Sequence, residues 1–190
     1  TAVGYDCLGA NTTGDLNVAV GAYSLNNNTV GDRNVALGVN ALFSTNPSSK
    51  QDVYNTAVGY DALQATTTGN TNTAVGGNTL RSNTTASSNT AVGYAALYAN
   101  TTGDNNVAVG ANSLDANTTG SNIIAVGRNA ATANTTGVGH TVVGHNALSS
   151  NTTDNYIVAI GYEALEQNTS GNSNTACGSF ALTDCTTGDN

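Results

Sequence analysis

The 190-residue chain has no Met and no Trp, a single Pro, three Cys, and only four Lys and Arg against twelve Asp and Glu. Each shortage closes off a class. With a formal charge of -8 and no basic cluster there is no electrostatic footprint for a phosphate backbone, so nucleic acid is not an expected partner. No stretch approaches the ~20 apolar residues that span a bilayer, and the N-terminus carries neither a basic region nor an apolar signal core, so this segment is not expected to insert into a membrane. The missing initial Met reads as a processed chain or an excerpt of a longer one. Hydrophobic residues reach only 38% and charged residues 8%. Disordered chains of such polarity are typically rich in Pro, Glu, Lys and Ser, whereas here Val, Leu and Ala return at fixed places.

What fills the chain is 29 Asn, 30 Thr and 22 Gly, arranged on a ruler. Taking as anchor the Gly that ends each Ala-Val-Gly-like triplet gives Gly4, Gly21, Gly38, Gly59, Gly76, Gly93, Gly110, Gly127, Gly144, Gly161 and Gly178. The eleven anchors are separated by ten intervals, nine of 17 residues and one of 21. The extra four residues fall within 46–54, which holds the only Pro and the only Lys and reads as a loop swelling from one coil. Two before the anchor stands Ala or Val142; one before it Val, Leu37, Ile160 or Cys177; four before it usually Asn; four after it Leu or Ala131. A second Gly lies ten after the anchor in eight units, usually behind a Thr pair, as in Asn100-Thr101-Thr102-Gly103.

Seventeen residues are too few for a helical hairpin, whose solenoid periods begin near 33, but enough for two short strands and two turns. The Thr/Val-Ala-Val-Gly segment reads as a strand closed by a bend and Asn-Thr-Thr-Gly as a turn. The middle stretch, such as Tyr60 to Ala65, reads as a short strand or bend rather than a helix because of its length. One unit cannot bury its own apolar face, so the units must stack and each column becomes a ladder. The fold predicted is therefore all-β: one domain over 1–190, a parallel β-solenoid of eleven coils, a segment of a longer fibre on the order of 50 Å long at about 4.8 Å per coil. The chain ends leave the ruler open, which favours end-to-end stacking of copies.

Period-two alternation puts the residues one and three before the anchor on one face and the Ala on the other. Taking the Val face as interior gives a core ladder of Val20, Val58, Val75, Val92, Val109 and Val126 with Leu25, Leu63, Leu97, Leu114, Leu148 and Leu165. The Ala column, Ala19, Ala36, Ala57, Ala74, Ala91, Ala108, Ala125 and Ala159, then points outward as a close-packing interface between chains. The competing explanation of the small residues is a coil too thin for anything larger.

At Asn55-Thr56-Ala57-Val58-Gly59-Tyr60-Asp61-Ala62-Leu63 and Asn89-Thr90-Ala91-Val92-Gly93-Tyr94-Ala95-Ala96-Leu97 the sequence resembles the head repeats of trimeric autotransporter adhesins. Similar repeats occur in phage tail fibres and other surface fibres. The resemblance covers all eleven units, although the adhesin repeat is usually shorter. It implies a left-handed β-roll assembled as a homotrimer, extracellular, on a cell surface or on a virion, with a non-enzymatic role in adhesion or fibre building and a cell-surface receptor or glycan as possible partner.

Chemistry is sparse. No catalytic residue, metal site or cofactor is expected. His140 and His145 read as surface or turn residues, and Glu163 and Glu166 occupy variable columns without the cleft a glycosidase needs. Asp15, Asp32, Asp104 and Asp189 follow the turn Gly without a second acidic ligand, unlike calcium-binding solenoids. Cys7 and Cys177 read as buried thiols, with a covalent link between stacked segments as the sharper idea; Cys185 has no assigned role. Sequons at Asn11, Asn27, Asn83, Asn100, Asn117, Asn134, Asn151 and Asn168 make glycosylation along one edge a candidate, against a plain turn-forming role. Recognition would sit in the variable columns of Tyr5, Tyr60, Tyr94 and Tyr162 and of Tyr23, Asp61, Asn112 and Phe180. The runner-up function is a ligand-binding solenoid, ice-binding or carbohydrate-binding.

Overall fold

A computed structural model describes residues 1–188. Asp189 and Asn190, and the expectation placed on Asp189, lie outside the described residues. The strands are β1 (Ala2–Val3), β2 (Val18–Val20), β3 (Gly31–Asp32), β4 (Val35–Leu37), β5 (Gln51–Asp52), β6 (Thr56–Val58), β7 (Thr73–Val75), β8 (Thr90–Val92), β9 (Val107–Val109), β10 (Ile124–Val126), β11 (Thr141–Val143), β12 (Val158–Ile160) and β13 (Thr175–Cys177). Eleven of them form one parallel sheet in the order β1-β2-β4-β6-β7-β8-β9-β10-β11-β12-β13. The chain is a β-solenoid, all-β among the described residues, in which each coil sets Ala over Ala and Val over Val: Ala74 pairs with Ala91 and Val75 with Val92, and Ala91 in turn with Ala108.

Backbone groups are satisfied coil to coil. The Leu25 N–H donates forward to the Ala41 carbonyl (2.9 Å), while the Gly38 N–H donates back to that of Val20 (2.8 Å). In most coils only three residues are extended. The middle stretch, expected as a short strand or bend, is a run of turns, because the residues two and four after the anchor both take left-handed backbone. The Leu column holds φ between 50 and 53°. That conformation costs an L-residue roughly 1–2 kcal/mol, and burying the Leu side chain, worth roughly 1.5–3 kcal/mol, offsets it. The anchor glycines lie at φ near 130–143°, and a Cβ on Gly93 would stand 2.7 Å from the Gly110 carbonyl of the next coil. Neither the dihedral nor the spacing admits a side chain there.

The expected core is half right. Leu25, Leu63, Leu97, Leu114, Leu148 and Leu165 are fully buried, as expected. The two faces of the strand are the reverse of the expectation. Ala19, Ala36, Ala57, Ala74, Ala91, Ala108, Ala125 and Ala159 have no exposed surface in a single chain and line the interior. Val20, Val75, Val92 and Val109 are 36–38% exposed, and Val58 and Val126 are half-buried on the same outer face. The interior opposite the Leu column is narrow and favours a small residue inward, although one coil places Val142 there, fully buried. The Ala column is therefore core and not an interface.

The 46–54 insertion leaves the register of the main sheet intact, β4 pairing directly with β6, and it also pairs itself. Its β5 lies parallel to β3 of the preceding coil, and Val53 is buried beneath it. Lys50 Nζ reaches back to the Thr13 carbonyl (3.0 Å) and Asp15 (2.6 Å), and Arg33 meets Asp52 at 2.7 Å. The hydrogen bonds from Arg33 and from Tyr54 hold the Asp52 carboxyl below its ordinary range. These exposed pairs add little stability. They fasten the loop flat across two coils.

Candidate functional site

Parallel, in-register stacking turns the outer strand face into two straight files. One file holds Val20, Leu37, Val58, Val75, Val92, Val109, Val126, Val143 and Ile160; the other holds Val18, Val35, Thr56, Thr73, Thr90, Val107, Ile124, Thr141 and Val158. Across these nine coils every residue in both files is β-branched except Leu37, and none is charged; the first file continues to Val3 at one end and to Cys177 at the other. At about 4.8 Å per coil the face runs on the order of 50 Å. Soluble monomers rarely leave a contiguous apolar patch of that extent uncovered.

The sequon column is where structure most limits chemistry. Asn83, Asn100, Asn117, Asn134, Asn151 and Asn168 are fully buried, so they are not glycosylation sites in the folded coil. Asn117 Nδ2 donates to Asn100 Oδ1 (2.9 Å) and to the Gly120 carbonyl (3.0 Å), and Asn134 Nδ2 repeats the first bond to Asn117. The amides build an internal ladder, and a glycan would have to break it. Asn11 and Asn27 are exposed and remain compatible with the candidate modification. The Thr pairs beside this column are engaged as well: the hydroxyls of Thr84, Thr101 and Thr118 each donate to a Thr carbonyl one coil on.

A second internal ladder runs four residues before the anchor. The N–H of Asn89 donates to Asn72 Oδ1 (3.0 Å), and Asn89 Nδ2 donates to the Gly103 carbonyl (3.0 Å). His140 occupies this column and is 1% exposed, which corrects the surface or turn expectation. Its Nδ1 accepts the N–H of Ile157 (3.2 Å), so the ring stands where Asn Oδ1 stands elsewhere. Nε2 sits beside the Asp154 backbone without a well-formed hydrogen bond. Desolvation pushes the His140 pKa down from 6.5 to about 4, with the Asp154 charge acting weakly the other way. His145 is on the surface side, stacked on Tyr162 at 5.3 Å.

All three Cys are free. Cys7 is half-buried, its Sγ donating to the Ala19 carbonyl (3.1 Å). Cys177 is exposed, because its column is the outward file rather than the core expected. Among the described residues no group of three His, Cys, Asp or Glu is arranged to hold a metal ion, and no helix is long and apolar enough to cross a membrane. The exposed aromatics gather in short edge-to-face runs, Tyr5–Tyr23 at 5.3 Å and Tyr162–Phe180 at 5.2 Å, and not in one continuous stripe. The outer β-branched face was within reach of the sequence, since alternation marks two faces; what the alternation does not carry is which of them points inward. No family model matches the chain, and neither a curated protein nor a solved structure gives a significant match.

Proposed function

We propose that this chain is a non-enzymatic structural segment of an extracellular fibre, on a cell surface or a virion, and that copies associate along the outer Val/Thr face to give a stiff rod. The observation that supports it is the exposed, uncharged, in-register face running through all eleven strands of the main sheet. A single-chain solenoid held by thin Ala and Leu ladders gains most by covering that face with the same face of other copies. The threefold count and the left-handed coil rest on the resemblance to adhesin head repeats.

Cys177 tests the arrangement with the native chain, because it lies in the outward file next to Ile160 in the register of β12 and β13. Cyclic symmetry with parallel chains brings each Cys177 to its own copy in the neighbour. Antiparallel packing would instead set it against the other end of the file, where Val3 stands. Mild oxidation is expected to give a disulfide-linked dimer on a denaturing gel, lost in Cys177→Ser and retained in Cys7→Ser. A chain that stays uncrosslinked at high concentration contradicts parallel association on this face. A monomer that also shapes ice would transfer support to the ice-binding reading, for which the Thr56, Thr73 and Thr90 run on the same face is the relevant feature.

A further inference from the structure

The corner after the strand carries one feature that rod formation does not use. In the column one after the anchor, Tyr60 and Tyr94 stand two coils apart and are 57% and 61% exposed. They border an open groove of about 500 Å³ walled also by Tyr98, Asp61, Arg81 and Asp115. Its polar groups are fixed from behind. Asp61, 3% exposed, accepts from Asn40 Nδ2 (2.9 Å) with one oxygen and from Arg81 Nε (3.2 Å) with the other. Arg81 Nη1 lies 3.3 Å from the Tyr98 hydroxyl, with the guanidinium 5.9 Å from that ring's centre. Thr132 donates to Oδ1 of Asp115. Among the described residues Arg81 Nη2 and Asp115 Oδ2 make no hydrogen bond.

Gly77, between Tyr60 and Tyr94 in the same column, strengthens the case. At the other glycines of the coils before the last, an added Cβ would come within 3.0 Å of a neighbouring atom. At Gly77 the φ is ordinary and a Cβ would meet only Tyr94 Cδ2, at 3.7 Å. The fold does not require glycine there. What the missing side chain provides is room beside the Tyr94 ring.

The chemistry of the lining selects a ligand class. Two carboxylates against one guanidinium make the groove net negative, which disfavours an anion. Its openness and its phenol and carboxylate groups disfavour a wholly apolar ligand. A neutral sugar ring offers C–H faces to exposed tyrosines and hydroxyl pairs to a planar guanidinium and a free carboxylate oxygen, in the manner of sites where apolar walls bind and a few placed polar groups orient. We infer that the groove between Tyr60 and Tyr94, with Gly77 beside it, is a binding site for a neutral oligosaccharide. The inference stands on a single chain and does not depend on the fibre reading.

The test is saturation-transfer NMR with maltotriose, cellotriose and triacetylchitotriose, and sialyllactose as the acidic control, followed by titration of tyrosine fluorescence, which is unobscured because the chain lacks Trp. At least one neutral trisaccharide is expected to bind with a Kd of about 0.1–1 mM. Tyr94→Ala and Gly77→Leu are each expected to weaken it at least tenfold, with melting curves unchanged, whereas Tyr5→Ala, far along the rod, leaves it intact. Absence of binding by all three neutral sugars at about 10 mM overturns the assignment, as does binding that both variants retain or binding confined to sialyllactose. Loss of self-association in Tyr94→Ala without sugar binding gives the groove to a second copy and also overturns it.

Discussion

At the residue scale the chain shows how a column can be kept while its residue changes. His140 takes over the Asn task of accepting the next coil's N–H, using a ring nitrogen that must be unprotonated. Its folded pKa is depressed to about 4 while the unfolded value stays near 6.5. The unfolded chain therefore binds a proton that the folded chain refuses, and the stability contribution is complete above about pH 7 and lost as pH falls towards 4. The window and the shift correspond to about 3 kcal/mol, to order of magnitude. His140→Asn restores the column's usual amide and is expected to remove this slope. Denaturant melts of both proteins from pH 7.5 to 4.5 check it: the difference between them should shift in favour of the variant as pH drops, and a pH-independent difference would contradict the buried neutral ring. The sequence did not show this role, because His140 occurs once in a column whose other members are mostly Asn, and a substituted column looks the same as a tolerant surface one.

At the element scale the strand is three residues long and its orientation is decided by space rather than by pattern. Ala91 is fully buried and Val92 is 37% exposed, although Val is the more hydrophobic of the two. Ala91→Val is expected to cost about 1–3 kcal/mol by overpacking against the Leu column, while Val92→Ala should cost less than about 1 kcal/mol in the isolated chain, since it leaves no enclosed cavity. Thermal unfolding of the two variants decides it, and the opposite order would restore the Val face to the interior. The strand itself, its Gly bend and the buried Leu ladder were legible from the 17-residue ruler, because each is demanded in every coil. Which face of Thr90-Ala91-Val92 turns inward was not, because alternation is symmetric between two faces and only the distance across a narrow coil breaks the tie. The Asn-x-Thr column was misleading for a related reason: the amide that would carry a glycan is the same group that makes a buried ladder, as Asn117 shows with its bonds to neighbouring coils.

At the scale of the whole molecule, each coil repeats the same few contacts with its neighbours, so stability accumulates along the axis. Repetition also copies the outward Val/Thr files into a continuous uncharged face, and the proposal of a rod made of several chains rests on it. The most direct measurement is sedimentation velocity of the native 18.9 kDa chain beside a Val75→Glu, Val109→Glu double variant. The account predicts a native species of three chain masses and a variant that sediments as one chain with an unchanged β-sheet spectrum. A native protein that remains a single chain at about 100 μM, at a concentration where even micromolar association would be complete, would contradict it.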